Sequence, residues 1–296
     1  MRVLLTGSTG QLGTALRAAD APGLTLLPHD RAALDLTADD AQIEDVVRAA
    51  TPDVVLTAAA YTAGDRADAA PALAARVTGP AAAARARAAN EAGALLVQVS
   101  TDYVFDGRLG RPYREEDPTS PLGVYGASKL AGEHAAREAA RCAVVRTSWV
   151  YSATGKNFLK TMWRLAGTHP RLRVVDDQHA RPTSADQLAQ ALLSLLGRHA
   201  AGETLPRLLH VTGGGDEASW RGFAAEVTAA RANTYGGEAV PVDAITTEEF
   251  GAPAPRPARS TLDTAAAASL GITPSDWRAE VQRTCAALAA AEEREA

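Results

Sequence analysis

Short, mostly apolar runs alternate with long Ala-rich stretches through the first half of the chain. Residues 3–6, 24–27, 54–57, 95–100 and 143–147 are rich in Val and Leu and lack the apolar-polar alternation of a half-exposed strand. That pattern predicts strands covered on both faces, as in a parallel sheet. Between them, 11–19, 38–50, 78–92 and 126–140 are predicted helices. Strand, helix, strand in that order predicts a doubly wound, Rossmann-like α/β fold.

After Trp149 the rhythm changes. A helix over 157–165, a strand over 172–175, a helix over 184–196 and a late strand over 208–211 are predicted, the last rejoining the sheet. A Pro-rich loop over 253–257 precedes a final helix starting near Ser275. These pieces exceed what one doubly wound core needs. Residues 1–148 with 183–215 are therefore expected to form the core domain, and 149–182 with 216–296 a smaller, discontinuous lobe. No internal repeat is visible.

Composition narrows the partners. The 296 residues carry a net charge of −5 with no Lys/Arg-dense run, which removes the footprint needed for a nucleic-acid backbone. Nowhere do about 18 apolar residues follow one another, so no membrane span is expected. The apolar start breaks at Gly7, too early for a signal-peptide core, and a soluble cytoplasmic protein is expected. Cys142 and Cys285 lie far apart with no His pair at ligand spacing, which favours reduced thiols over a disulfide or zinc site.

Directly after the first predicted strand comes Gly7-Ser8-Thr9-Gly10-Gln11-Leu12-Gly13, opening a helix. Glycines there let the backbone turn tightly against a pyrophosphate, whose charge meets the N–H groups and dipole of the helix start. Gly7, Gly10, Gln11 and Leu12 are thus candidate dinucleotide contacts, and the core becomes an NAD(P)-binding domain. Asp30 and Arg31 end the second strand, with Asp35 beyond. Asp30 favours a free ribose 2′-hydroxyl and Arg31 a 2′-phosphate, so NADH and NADPH both remain open.

Tyr125 and Lys129 sit four residues apart on one predicted helix face. A phenol titrates near pH 10, and a neighbouring ammonium is expected to draw it toward working pH for proton transfer. Upstream, the fourth strand ends at Ser100-Thr101-Asp102-Tyr103, where α/β sheets place ligands. Thr101 can share a carbonyl oxygen with Tyr125 while a hydride arrives at its carbon.

Together these features resemble the extended short-chain dehydrogenase/reductase superfamily. More narrowly, the chain resembles the dTDP-4-dehydrorhamnose reductase family over nearly its whole length. The narrower likeness rests on GQLG from Gly10, PDVVLTAAAYTAGD from Pro52, STDYVFDG from Ser100 and PLGVYGASKLAGE from Pro121. Further blocks are RTSWVY from Arg146, GKNF from Gly155, Asp177-Gln178, Arg181-Pro182-Thr183, Ser219-Trp220 and Arg256-Pro257 with Ser260 and Leu262.

The resemblance implies Tyr125 as proton donor, Lys129 as its modulator and ribose ligand, and Thr101 as the third catalytic residue. It implies pyrophosphate contacts from Gly10, Gln11 and Leu12, and ribose and adenine contacts from Asp30, Asp35 and Leu36. Ala60, Tyr61 and Thr62 would line the cofactor cleft. Thr101, Asp102, Tyr103, Trp149, Asn157 and Arg181 would hold the sugar in the smaller, substrate-binding lobe. The implied reaction is reduction of the 4-keto group of a dTDP-linked 6-deoxysugar by NADPH or NADH. Some relatives form a Mg²⁺-dependent dimer through glutamates; here Glu292, Glu293 and Glu295 read rather as a solvated helix end, and monomer and homodimer both stay open.

Two alternatives share these motifs: a reductase of a related deoxysugar, such as the dihydrostreptose type, and a noncatalytic NADP-binding regulatory module. A 4,6-dehydratase is disfavoured because Asp102 is followed by Tyr103, not by the Glu that C6 elimination requires.

Overall fold

A computed structural model describes residues 1–59 and 69–295. The chain runs β1 (Arg2–Thr6), α1 (Gln11–Ala18), β2 (Thr25–His29), α2 (Asp40–Ala50), β3 (Val54–Thr57), α3 (Pro71–Thr78), α4 (Pro80–Ala92) and β4 (Leu95–Thr101). It continues through α5 (Val124–Ala136), β5 (Cys142–Thr147), β6 (Val150–Tyr151), α6 (Phe158–Ala166), β7 (Leu172–Val175), β8 (His179–Ala180), β9 (Thr183–Ser184) and α7 (Ala185–Ala200). The last elements are β10 (Leu208–His210), β11 (Ala218–Ser219), α8 (Trp220–Tyr235), β12 (Val242–Ile245), α9 (Thr247–Phe250), α10 (Ala265–Ser269) and α11 (Trp277–Glu295).

Six strands form the main sheet in the order β10-β5-β4-β3-β1-β2, every pair parallel. Successive side chains of a strand face opposite ways, and here both faces are apolar. Val3 and Leu5 enter the cluster formed with α1 and α7, whereas Leu4 enters the one formed with α2 and α4. The same split recurs at Val54, Val55 and Leu56 and at Leu95, Leu96 and Val97. That two-sided burial explains the missing alternation, at about 1.5–3 kcal/mol for each fully buried Val or Leu. Strand order reverses between β1 and β3, which opens a crevice beyond their C-terminal ends.

Local chemistry moves several predicted boundaries. Asp39 accepts a hydrogen bond from the Gln42 N–H at 2.8 Å, so α2 starts at Asp40 and not at 38. The single helix expected over 78–92 begins at Pro80, because proline cannot donate the N–H that would join it to α3. β2 extends to His29 through Pro28, which an edge strand tolerates. α5 starts at Val124, two residues early, which puts Tyr125 in its first turn.

A third apolar cluster lies apart from the sheet. Tyr151, Leu159, Trp163 and Leu172 pack there with Phe223, Val227, Trp277 and Val281. It draws on α6, β7, α8 and α11, elements far apart in sequence. Asn157 caps α6, Ser184 caps α7 and Ser219 caps α8 through their side-chain oxygens.

Candidate active site

The glycine turn is shaped by what it cannot accommodate. Gly7 has φ +68°, and a Cβ there would come within 2.6 Å of the Ala59 backbone nitrogen. A Cβ on Gly13 would collide with the carbonyl of Gly7 and the backbone of Ser8. Gly10 caps α1 without any side-chain hydrogen bond, so no side chain covers the first N–H groups of the helix. A cavity of about 500 Å³ opens in front of them. Gly7, Gly10, Gln11 and Leu12 line it, together with Asp30, Arg31, Asp35 and Leu36 and with Tyr125 and Lys129. Ala60, Tyr61 and Thr62 lie outside the described residues.

The acidic groups that follow β2 are already engaged. One Asp30 oxygen accepts from the N–H groups of Ala32 and Ala33, both at 2.9 Å, and so closes the turn after β2. Asp35 is held below the usual carboxylate range by the Thr37 N–H and hydroxyl, with Arg31 a weaker contributor at 3.9 Å. Arg31 itself is largely solvated.

A second cavity of about 370 Å³ adjoins the first. Thr101, Asp102, Tyr103, Trp149 and Asn157 line it, and Tyr125, Ser100, Thr147, Gln11 and Lys156 belong to both. The phenol of Tyr125 therefore stands where a cofactor and a second ligand would meet. Its ring meets Tyr103 edge-on at 5.9 Å, and the Thr101 hydroxyl favours its ionised form. Lys129, buried one turn along α5, donates to the Val99 carbonyl at 2.6 Å.

Electrostatics revise one expectation. Burial pushes the Tyr125 phenol up to about 12; the Thr101 hydroxyl opposes this and Asp102 adds to it, and Lys129 does not offset it. The ammonium was expected to draw the phenol toward neutral pH, but desolvation outweighs that attraction. The phenol is thus kept protonated, which suits a donor. Burial lowers Lys129 to about 8 and raises Asp102 to about 7. Asp102 accepts from the hydroxyls of Thr101 and Ser260, so it anchors the tail segment over the end of β4.

Trp149 adopts φ +46°, a left-handed conformation uncommon for a large residue, and stacks on Trp220 with ring centroids 3.6 Å apart. The Thr147 hydroxyl is buried on the wall of this cavity with no hydrogen-bond partner among the described residues. Arg181 lines neither cavity; its guanidinium reaches the Leu262 carbonyl at 3.3 Å. Asn157 reaches the wall but spends its amide on Gln11, Ser152 and the Lys160 N–H, which makes it a brace for the loop.

Residues 1–290 match the RmlD substrate binding domain family. The chain belongs to that family. Among its relatives, a dTDP-4-dehydrorhamnose reductase of Sinorhizobium fredii is 39% identical over 292 residues, covering 97% of this chain and 98% of the relative. One of Mycobacterium tuberculosis is 42% identical, covering 97% and 93%. A crystal structure of the Bacillus anthracis dTDP-4-dehydrorhamnose reductase in complex with NADP superposes with a TM-score of 0.86 at 34% identity, covering 96% and 98%.

Some features of this RmlD-family site were not assigned from sequence. Lys156 stands at the junction of the two cavities, Trp220 backs Trp149, and Arg256 lines the second cavity. All three lie in motifs quoted above, but only the folded chain brings them together. Among the described residues, no group of three or more His, Cys, Asp or Glu side chains gathers to hold a metal ion. Glu292 instead accepts from the Trp163 indole and the Tyr235 hydroxyl, an intramolecular tie for α11.

Proposed function

We propose that the chain reduces the 4-keto group of dTDP-4-dehydro-L-rhamnose to give dTDP-L-rhamnose, using NADPH. Tyr125 lines both adjoining cavities, with Lys129 on the wall of the first and Thr101 on the wall of the second, and that arrangement carries this reading. The relatives' activity and the NADP complex of the Bacillus anthracis enzyme support it.

The glycine turn, the uncovered start of α1 and the exposed Arg31 fit a phosphorylated dinucleotide. When bound, the reduced nicotinamide supplies the hydride. Lys129 spends one N–H on Val99 and has others for a ribose hydroxyl. The Thr101 and Tyr125 hydroxyls bind the C4 carbonyl oxygen and orient its carbon. As negative charge grows on that oxygen, Tyr125 delivers its proton, and the nearby ammonium stabilises the phenolate left behind. Trp149 and Trp220 form an apolar wall for the sugar, and the smaller lobe of 149–182 with 216–296 is read as its binding surface. The buried free thiols of Cys142 and Cys285 agree with a reducing, cytoplasmic setting.

Loss of 340 nm absorbance on mixing enzyme, NADPH and the keto sugar tests the activity. Tyr125→Phe is expected to lower kcat by about 10²-fold or more while NADPH still binds. A near-wild-type rate in that variant rejects the assignment.

A further inference from the structure

Glu133 lies on α5 one turn beyond Lys129 and two turns beyond Tyr125, on the same face. It is fully buried and lines neither cavity described above. Its carboxylate takes the Arg146 guanidinium in a two-point grip, Nε to Oε1 at 2.8 Å and Nη2 to Oε2 at 2.7 Å. The Ser100 hydroxyl also donates to Oε1, at 2.6 Å. Ser100 and Arg146 are register partners on β4 and β5, and the next rung is Thr101 opposite Thr147. One carboxylate therefore ties the helix of Tyr125 and Lys129 to both strands directly beneath the reacting groups.

The surroundings are built for this pair. Arg146 lies over the Phe105 ring at 5.0 Å, and its Nη1 is 3.4 Å from His210 Nε2. His210 is kept neutral, with burial lowering it to about 3, and its Nδ1 faces the Tyr113 carbonyl at 3.1 Å. Nδ1 thus carries the proton, and Nε2 is left to accept from Arg146. Stability alone is a weak reason for such a pair, since apolar residues of similar volume often hold a fold as well as a buried ion pair does.

We propose that Glu133 is a positioning residue for the reduction, fixing Thr101 and the Tyr125/Lys129 helix in one frame and supplying the negative charge that keeps the buried Lys129 an ammonium. This rests on the reading of Tyr125 and Lys129 given above. Among the described residues, Glu133 from α5 and Arg85 from α4 are the charged groups that act on Lys129, and the Val99 carbonyl from β4 accepts its hydrogen bond. Burial and the Arg85 cation both push Lys129 down, and Glu133 opposes them. Without Glu133 the ammonium loses its proton at lower pH.

Glu133→Gln strands the Arg146 charge and risks unfolding the protein. The paired variant Glu133→Leu with Arg146→Met removes both charges and keeps the volume. Circular dichroism and NADPH titration establish that it folds and binds cofactor. Steady-state rates from pH 6 to 10 are then expected to show kcat lowered at least about tenfold, with KM changed by less than about threefold. The basic limb of kcat is expected to move to lower pH, because Glu133 is the member of the pair that acts on Lys129. Ser100→Ala, which leaves the ion pair intact, is expected to lower kcat several-fold without moving that limb. A folded pair variant with kcat within about twofold of wild type, or with an unmoved basic limb, overturns the proposal. If the pair does not fold, Ser100→Ala with wild-type kcat overturns it. Tyr125→Phe run alongside separates the failures. Its inactivity beside an unchanged Glu133/Arg146 variant overturns only the positioning role, whereas its full activity overturns the site reading and this proposal together.

Discussion

Lys129→Met should make the protein more stable while abolishing most of its turnover. In the wild type the buried ammonium titrates at about 8 instead of 10.5, chiefly through desolvation. At roughly 1.4 kcal/mol for each pH unit, keeping that charge inside the fold costs about 3 kcal/mol at neutral pH. Methionine removes the charge at similar volume. The Val99 carbonyl loses one donor but keeps the Gln98 amide at 3.1 Å, so roughly 1 kcal/mol is given back. A net gain of about 2 kcal/mol corresponds to about 3 °C in Tm for a chain of this size. The pH dependence has a definite sign. The folded pKa is depressed, so the unfolded chain binds the extra proton between about 8 and 10.5, and wild-type stability rises with pH through that window. The advantage of Lys129→Met is therefore full below pH 8 and gone above 10.5, where the lost Val99 hydrogen bond leaves the variant about 1 kcal/mol less stable than wild type. Calorimetry of the cofactor-free proteins at pH 7 and pH 10 reads both quantities. A variant no more stable than wild type at pH 7, or an advantage that persists undiminished at pH 10, would refute the electrostatic reasoning.

Three further outcomes are expected. Gly13→Ala forces the turn against Gly7 and Ser8 and should weaken NADPH binding at least about tenfold by calorimetric titration; unchanged affinity would mean that the turn does not hold the pyrophosphate. Arg31→Ala should weaken NADPH binding several-fold and leave NADH binding unaltered, and equal losses for both would remove the 2′-phosphate role. Trp149→Ala loses the Trp220 stack, worth about 0.5–1.5 kcal/mol beyond the area buried, and should raise the sugar KM more than it lowers kcat; the reverse split would move Trp149 from binding to chemistry.

The sheet was legible in the chain because two-sided burial leaves a clear mark: β1, β3, β4 and β5 are mostly apolar segments without strict alternation, near the predicted positions. The glycine turn was legible for a related reason, since Gly7 and Gly13 answer to backbone contacts within one strand-turn-helix unit. Tyr125 and Lys129 were found by their spacing on one helix. What stayed hidden depends on residues distant in sequence. Trp149 and Trp220 stack across 71 positions, and Gln11 braces Asn157 across 146. The Glu133–Arg146 pair looks in sequence like two ordinary surface charges until β5 is laid beside β4. Phenol acidity was misjudged because burial, the largest influence on Tyr125, has no counterpart in spacing.

Deuterium transfer tests the central claim most directly. The enzyme would be given dTDP-4-dehydro-L-rhamnose and NADPH deuterated at both nicotinamide C4 positions, and the product examined by NMR. The account predicts dTDP-L-rhamnose carrying one deuterium at sugar C4. A bound cofactor with no deuterium passed to the sugar, or product with the opposite C4 configuration, would contradict it.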